Sequence, residues 1–310
     1  MSKREIKKQN LQNTKKWNLE SISYHLMLFP GVILLFIFTV IPLGGVVIAF
    51  QNYYPTKGIL GSKWVGLDNF RYMFLMPDSK QIFVNTIVIA VAKIIFGIIV
   101  SVLFALLLNE VKNAIFKKTI QTIVYMPYFL SWVILGSVFV SLLSLDGGIN
   151  HILESLNIEP ISFLGSNKWF RTVIVFTDVW KNFGYGAIVY LAALLAIDLN
   201  LYEAATIDGA NRFQRLVHIT LPGLVPIIIL MSVLSLGNVL NAGFDQIFNM
   251  YNPMVYETGD IIDTYVYRAG LLDMQYSLST AVGLLKSVVS VILIFFSNFL
   301  ARRFAGYHIF

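Results

Sequence analysis

Cysteine is absent from this chain of 310 residues, and charged residues make up only 13% of it, whereas 57% of its residues are hydrophobic. The absence of cysteine excludes disulfide bonds, thiolate metal sites and cysteine nucleophiles. The shortage of charge excludes an ordinary soluble domain, since soluble domains carry about 25% charged and about 45–50% apolar residues. With a mean hydropathy of +0.71, the composition predicts a polytopic membrane protein.

Motifs of several other function classes are also missing from the sequence. It contains no G-x-x-x-x-G-K-[ST] phosphate loop, so we expect no ATP hydrolysis by this chain. Neither H-E-x-x-H nor G-x-S-x-G occurs, which argues against a membrane-embedded enzyme. The four histidines show no metal-ligand spacing. Lysine and arginine residues form no patch interleaved with aromatic residues, which argues against nucleic-acid binding.

Six apolar segments are long enough to cross the hydrocarbon core of a bilayer as helices, which takes about 20 residues each. These predicted spans, numbered one to six, are Tyr24–Phe50, Phe83–Leu108, Thr119–Leu145, Arg171–Ile197, Gly223–Phe244 and Leu278–Ala301. The first is too long for a signal peptide and no cleavage site follows it, so we interpret it as a retained span. Pro42 and Pro127 are predicted to kink spans one and three, unless neighbouring helices merely tolerate them.

The distribution of lysine and arginine predicts the orientation. These residues precede span one, lie between spans two and three and between spans four and five, and follow span six. By the positive-inside rule, both termini and the loop between spans four and five face the cytoplasm. We expect a basic cytoplasmic segment over residues 1–23 and one transmembrane domain over residues 24–310, located in the cell membrane as a multi-pass protein.

The loop at residues 198–222 is a polar, helix-prone interruption between spans four and five. Gly209 suits a break between two short helices, because glycine enters left-handed conformations without steric cost. Pro222 is expected to stop this element, so that span five begins beyond it. We expect such a helix to bind in a groove on a soluble partner, with its small residues at the contact. The alternative is an amphipathic helix that packs on its own bundle.

The spacing of residues in this loop resembles the complete EAA signature of ABC importer permeases. The matching residues are Glu203-Ala204-Ala205, Asp208-Gly209-Ala210, Ile219, Leu221-Pro222 and Pro226. Residues 180–194 resemble the carbohydrate-uptake, maltose-transporter-type branch of the binding-protein-dependent transport family, and residues 249–253 and 265–268 resemble permeases for complex oligosaccharides. That branch more often has Ile-Pro where this chain has Asp198-Leu199. The resemblance covers residues 170–226 closely and the six-span layout more loosely.

The resemblance implies an all-α type I importer permease fold with six transmembrane helices and cytoplasmic N and C termini. It implies a second, related permease subunit in a heterodimer, two cytoplasmic ATPase subunits that bind ATP and Mg, an extracellular solute-binding protein and an oligosaccharide substrate. This chain would need no cofactor of its own. The residues implied for coupling to an ATPase subunit are Glu203, Ala204, Ala205, Asp208, Gly209, Arg212 and Pro222. Glu203 would pair with a basic group of the partner, and Gly209 would set the turn.

Polar residues inside spans are costly and usually face the bundle interior or a cavity, so they are candidates for the substrate path. Sugars are bound by planar hydrogen-bonding groups and by aromatic faces, and the candidates are Trp180, Asn182, Tyr185, Asn238, Asn241, Asp245, Lys93 and Lys286. The alternative is an interhelical hydrogen bond for each of them, or snorkelling to an interface for the two lysines. Together with Lys181 and Arg268, these lysines suggest an acidic cargo such as a uronate oligosaccharide.

Two other transporter classes remain open. An ABC importer permease for another solute, such as amino acids or phosphate, would share the loop signature. A secondary transporter would work without an ATPase, although the two halves of the chain do not match in motif or breaker position, which argues against inverted repeats.

Overall fold

The computed structural model describes residues 19–305, which are mostly helical. Most of the basic segment at residues 1–23 and the C-terminal end lie outside the described residues, so the cytoplasmic position of both termini stays a prediction. In chain order, the α-helices are Leu19–Leu35, Ile41–Leu43, Gly58–Gly61, Asp68–Leu75, Ser79–Glu110, Ala114–Tyr125, Trp132–Leu142, Gly148–Ser155, Phe170–Leu195, Leu199–Ile207, Arg212–Arg215, Leu221–Gly237, Phe244–Met250, Tyr256–Gly259, Ile262–Tyr267 and Tyr276–Ala305.

Shorter elements connect these helices. The π-helical turns are Phe36–Val40, Leu216–Thr220 and Arg268–Leu272, and the 3₁₀ turns are Gly44–Phe50, Met126–Phe129 and Pro253–Val255. The strands Gln51–Asn52 and Lys63–Trp64 form a small antiparallel hairpin in which Gln51 lies opposite Trp64.

Four helices are long and apolar enough to cross a membrane alone, and they correspond to predicted spans one, two, five and six. They are Ser23–Phe50, Ser79–Glu110, Arg212–Gly237 and Tyr276–Phe299. Spans three and four each form part of a bent pair. Ala114–Phe129 meets Trp132–Leu142 at 99°, and Phe170–Leu195 meets Leu199–Ile207 at 65°. With each bent pair counted as one span, the six predicted spans are all present.

Prolines act differently in the different spans. Pro127 lies in the 3₁₀ turn just before the 99° bend, so the predicted kink in span three is confirmed. The helix of span one, in contrast, runs through Pro42 to Phe50. The prediction that Pro222 stops the cytoplasmic element is wrong, because one helix runs from Arg212 to Gly237. Pro42 and Pro222 each lie two residues after the end of a π-helical turn, and this wider turn accommodates the missing N–H within a continuous helix.

The predicted end of span five at Phe244 is also wrong, because the helix ends at Gly237. Residues 238–243, here called the broken segment, contain no regular helix, and a separate short helix, Phe244–Met250, follows. Asparagine favours turns, and Gly243 adopts a left-handed conformation with φ +95°. Consequently Asn238 caps the end of span five, Asn241 lies in the broken segment, and Asp245 lies in the first turn of the next helix.

Spans two and four pack side by side and form the centre of the bundle. Ile89 of span two and Ile174 of span four are fully buried in one apolar cluster, and Leu240 and Ala242 of the broken segment belong to the same cluster. Non-helical backbone at membrane depth is tolerated only where it is buried in protein or lines a water-filled cavity. The broken segment meets that condition through its contact with this cluster.

Candidate functional site

The cytoplasmic loop of the sequence analysis folds into a helix with well-defined ends. The side chain of Asp198 accepts a hydrogen bond from the Asn200 amide at 3.0 Å and caps the helix Leu199–Ile207. At the other end, the Ala210 amide donates to the Ala205 carbonyl at 2.8 Å and the Gly209 amide to the Thr206 carbonyl at 3.1 Å. This pair of bonds is a Schellman motif.

Gly209 makes this helix end possible, because its φ is +78°. A Cβ at this position would meet nothing within 4 Å. The requirement for glycine therefore comes from the left-handed backbone and not from a lack of space. The predicted break between two short helices lies at Gly209.

A second short helix connects this element to span five. Asn211 and Gln214 form a capping box at the start of Arg212–Arg215, with bonds of 2.9 and 2.8 Å. Two side-chain contacts tie the first helix to this second part. The Tyr202 hydroxyl lies 2.9 Å from Thr220 Oγ1, and Arg215 donates to Thr206 Oγ1 at 3.0 Å. These two contacts connect the first helix to the helix that contains span five.

The first helix also presents an unpaired ridge, formed by Leu199, Glu203 and Ile207, which are four residues apart along the helix and lie on one face. Leu199 is 73% exposed and Ile207 is 88% exposed. Within residues 19–305, Glu203 has no hydrogen-bond or salt-bridge partner. An apolar ridge with a free carboxylate at its centre suits a groove on another protein that contains a basic group. Ala204, Asp208, Arg212 and Pro222 are exposed in the same region, and Ala205 is half-buried.

Inside the bundle, Lys93 of span two is the centre of a polar network. Its ammonium donates to the Ala242 carbonyl at 2.7 Å and to the side-chain oxygen of Gln246, and it lies 3.4 Å from an Asp178 carboxylate oxygen. Gln246 in turn donates at 2.7 Å to the hydroxyl of Thr177 in span four. The alternative in which Lys93 snorkels to an interface is therefore wrong.

Three cavities follow one another around this network. One of about 360 Å³ is lined by Lys93, Asp178, Asn238 and Asn241. A smaller one, about 190 Å³, shares Lys93 and Asp178 with the first and adds Asn182. Asn182 also lines the third cavity, of about 430 Å³. Because neighbouring cavities share residues, we call this series the polar path.

The third cavity also contains residues that sequence reasoning missed or ranked low. Its lining includes Asp245, Lys181, Asn182 and Trp132. Trp132 was missed, although it is the first residue of the helix that follows the 99° bend in span three. Gln246 was missed as well, because its partner Lys93 is 153 residues away in sequence.

Three predicted path residues lie elsewhere. Trp180 packs edge-to-face on Phe139 with 5.6 Å between ring centroids and lines a separate, apolar cavity. Tyr185 stacks on Tyr128 at 3.9 Å. Lys286 lies 2.6 Å from a carboxylate oxygen of Asp263 and donates to Asn241 at 2.8 Å. Lys286 therefore touches the broken segment but does not line the polar path.

Lys181 differs from the other buried cations. Its ammonium donates to the Tyr128 carbonyl at 2.7 Å and lies over the rings of Tyr128 and Trp132, 5.4 and 5.7 Å from their centroids. The residue is only 6% exposed. Within residues 19–305 it has no carboxylate at salt-bridge distance, whereas Lys93 and Lys286 each have one.

The fourth cation, Arg268, is neutralised near the end of the bundle opposite the cytoplasmic loop. It forms an ion pair with Asp260 and lies over the Tyr256 ring at 4.4 Å. Burial lowers the pKa of Arg268, but the hydrogen bond and charge of Asp260 outweigh burial and leave it above its ordinary value. Burial also raises the pKa of Tyr251 and of Tyr265 to about 12, so both phenols stay neutral at physiological pH.

Comparisons with known proteins agree with one another. Residues 97–306 match the family model described as binding-protein-dependent transport system inner membrane component. Protein LplB of Bacillus subtilis is 45% identical over 281 residues, which is 90% of this chain and 88% of that protein. The polygalacturonan/rhamnogalacturonan transport system permease protein YteP of the same organism is 43% identical, with the same coverage of both chains.

A solved structure extends this similarity to the fold. It is a bacterial ABC transporter involved in the import of the acidic polysaccharide alginate, and it matches with a TM-score of 0.84 and 36% identity. The match covers 92% of this chain and 96% of that one. A second structure, with TM-score 0.84 and 35% identity over 94% and 97% of the two chains, contains the alginate transporter with an alginate pentasaccharide-bound periplasmic protein.

Proposed function

This chain belongs to the family of binding-protein-dependent transport system inner membrane components, as a multi-pass permease subunit of a carbohydrate ABC importer, and from that premise we propose that its cargo is an acidic oligosaccharide. The permease subunits of this family carry no ATPase of their own. ATP and Mg therefore bind to partner subunits, and a solute-binding protein delivers the cargo to the polar path.

The proposal of an acidic cargo rests on the environment of Lys181. The charge of Asp178 reaches the Lys181 ammonium only from beyond salt-bridge distance. A cargo carboxylate that enters the third cavity would supply the direct ion-pair partner that Lys181 does not have within residues 19–305. The relatives support this choice, because polygalacturonan is a polymer of uronic acid and alginate is an acidic polysaccharide.

The other residues of the polar path have roles that fit a sugar. Trp132 offers an aromatic face for stacking on a sugar ring, beside the carboxylate held by Lys181. Asn182, Asn238 and Asn241 offer amide groups that donate to and accept from sugar hydroxyls. Neighbouring cavities share lining residues, so successive sugar units of one chain can occupy more than one cavity once the cavities join.

We propose the loop at residues 198–222 as the coupling element of a single permease domain over residues 24–310, preceded by the basic cytoplasmic segment. The ridge at Glu203 seats in one of two ATPase subunits, and a second, related permease subunit completes the pathway in a heterodimer. Support comes from the free carboxylate of Glu203 and from the bonds that tie this helix to span five. Closure of the ATPase dimer then moves span five and alternates the access of the polar path.

A neutral oligosaccharide is the second candidate cargo. It is favoured by the internal pairing of Lys93, Lys286 and Arg268, each of which already has a carboxylate partner. These three cations do not need a charged cargo to satisfy them.

Uptake into proteoliposomes distinguishes the two cargoes. The whole transporter is reconstituted with its ATPase subunits, second permease and binding protein, and supplied with a uronate oligosaccharide or its carboxyl-reduced neutral analogue. We expect Lys181→Met to lower uronate uptake about tenfold, because a charged hydrogen bond is worth about 1.5–3 kcal/mol, and to leave neutral uptake unchanged. Lys63→Met, on the exposed hairpin, is the matched control. An equal effect of Lys181→Met on both cargoes would overturn the acidic assignment.

A further inference from the structure

Lys93 lies where three parts of the bundle meet: span two, span four and the broken segment. An ammonium has three N–H donors, and Lys93 has three acceptors around it. Two of them, the Ala242 carbonyl and Gln246, belong to the broken segment and the helix that follows it, and the third is Asp178 of span four. The lysine therefore joins the discontinuous part of span five to the two packed helices at the centre of the bundle.

Gly243 makes this junction possible in two ways. Its φ of +95° is strained for any residue with a side chain, and a Cβ at this position would lie 2.7 Å from the Lys93 ammonium. Gln246 strengthens the junction, because it is fully buried and donates at 2.7 Å to the Ile174 carbonyl of span four. The broken segment thus reaches Lys93 only because its backbone bends sharply beside the ammonium.

The junction also borders two of the cavities in the polar path. Lys93 and Asp178, together with Ile94 and Ser235, line both the cavity of about 360 Å³ and the cavity of about 190 Å³. The ion pair therefore lies at the boundary that the two cavities share. A cargo that moves from one cavity to the other must pass this pair.

We propose that Lys93 is a latch that holds the broken segment against spans two and four and keeps these two cavities apart. The Ala242 carbonyl is buried, so releasing it without a replacement partner is costly. The latch opens when oxygen atoms of the cargo replace Ala242 and Gln246 as acceptors for the ammonium, and the two cavities then join. Lys93 acts as a positioning residue here, and the inference does not depend on the charge of the cargo.

The cysteine-free chain gives this proposal a direct test. Ser235→Cys places a single thiol at a residue that lines both cavities, and its rate of reaction with a membrane-impermeant maleimide is measured in the assembled transporter without cargo. The latch is removed by Lys93→Met/Asp178→Asn, which keeps the side-chain shapes close to the original and leaves no unpaired charge. We expect thiol labelling about tenfold faster in this background, with a similar rise in ATP hydrolysis that occurs without binding protein.

Two further backgrounds keep the result unambiguous. Asp68→Asn/Arg71→Met neutralises an exposed pair separated by 3.8 Å and should change neither rate. Gly243→Ala keeps both charges but pushes a methyl group toward the Lys93 ammonium, so it should also speed labelling, and it decides the matter if the first double variant fails to assemble. Equal labelling rates in all backgrounds that assemble would overturn the latch. Because no cargo is present, this outcome is independent of the uptake experiment on Lys181.

Discussion

The coupling element and the polar path differ in whether their charged side chains have partners within the described residues. In the coupling element, Glu203 is exposed and has no partner within residues 19–305, while in the polar path Lys93 is buried and bonded on every side. Lys181 belongs to the path but has no carboxylate at salt-bridge distance within residues 19–305. The difference indicates what each charge is for. A charge that is paired within the chain is already neutralised by the fold, and a charge left unpaired within residues 19–305 is available to a partner protein or to a cargo.

The largest expected effect concerns the paired charges. Lys93→Met alone leaves Asp178 largely buried without its counter-charge, and breaking a buried pair in this way costs about 3–5 kcal/mol. The neutral pair Lys93→Met/Asp178→Asn should recover most of that loss. The stability of both variants is compared by the thermal unfolding midpoint of the detergent-solubilised transporter. If the single and double variants unfold at the same temperature, the loss does not come from leaving the Asp178 carboxylate unpaired.

The next effect concerns the turn of the coupling element. Gly209→Val forces a branched side chain into a left-handed conformation, which costs about 1–2 kcal/mol, and should disrupt the Schellman motif that orients the ridge. Gly209→Asn is the matched control, because asparagine tolerates this conformation. We expect the valine variant to lose co-purification with the ATPase subunit and the asparagine variant to retain most of it. Equal retention by both would show that the turn does not orient the contact.

The smallest effect concerns the capping box that links the coupling element to span five. Asn211→Ala removes the cap of Arg212–Arg215, which costs about 1 kcal/mol. We expect transport to fall about threefold while association with the ATPase persists, since the ridge itself is intact. Uptake and co-purification with the ATPase subunit are measured for the same variant, and only uptake should fall. A loss of both in parallel would mean that the capping box supports the ridge and not the link to span five.

Local signals predicted much of the molecule. Apolar length alone located the six spans, and the left-handed preference of glycine located the break at Gly209. Pro127 was predicted to mark a bend from a local backbone preference as well, because a proline disrupts the helical turn that precedes it.

Features that depend on distant residues were beyond such reasoning. The continuous helix through Pro222 depends on the π-helical turn before it, which has no recognised sequence signal. The broken segment follows an apolar run, and it is stabilised by Lys93, which is 149 residues from Ala242. The side chains of Trp132 and Lys181 meet only because span three bends by 99°.

The most direct test of the different roles of the coupling element and the polar path uses the wild type, Gly209→Val and Lys181→Met. ATP hydrolysis and uronate uptake are measured for each in the same proteoliposomes. In the proposed division, the coupling element drives transport and the polar path binds the cargo, so Gly209→Val should lose both binding-protein-stimulated hydrolysis and uptake. Lys181→Met should keep that hydrolysis and lose uronate uptake. Normal hydrolysis by Gly209→Val, or a parallel loss of both activities in Lys181→Met, would contradict this division.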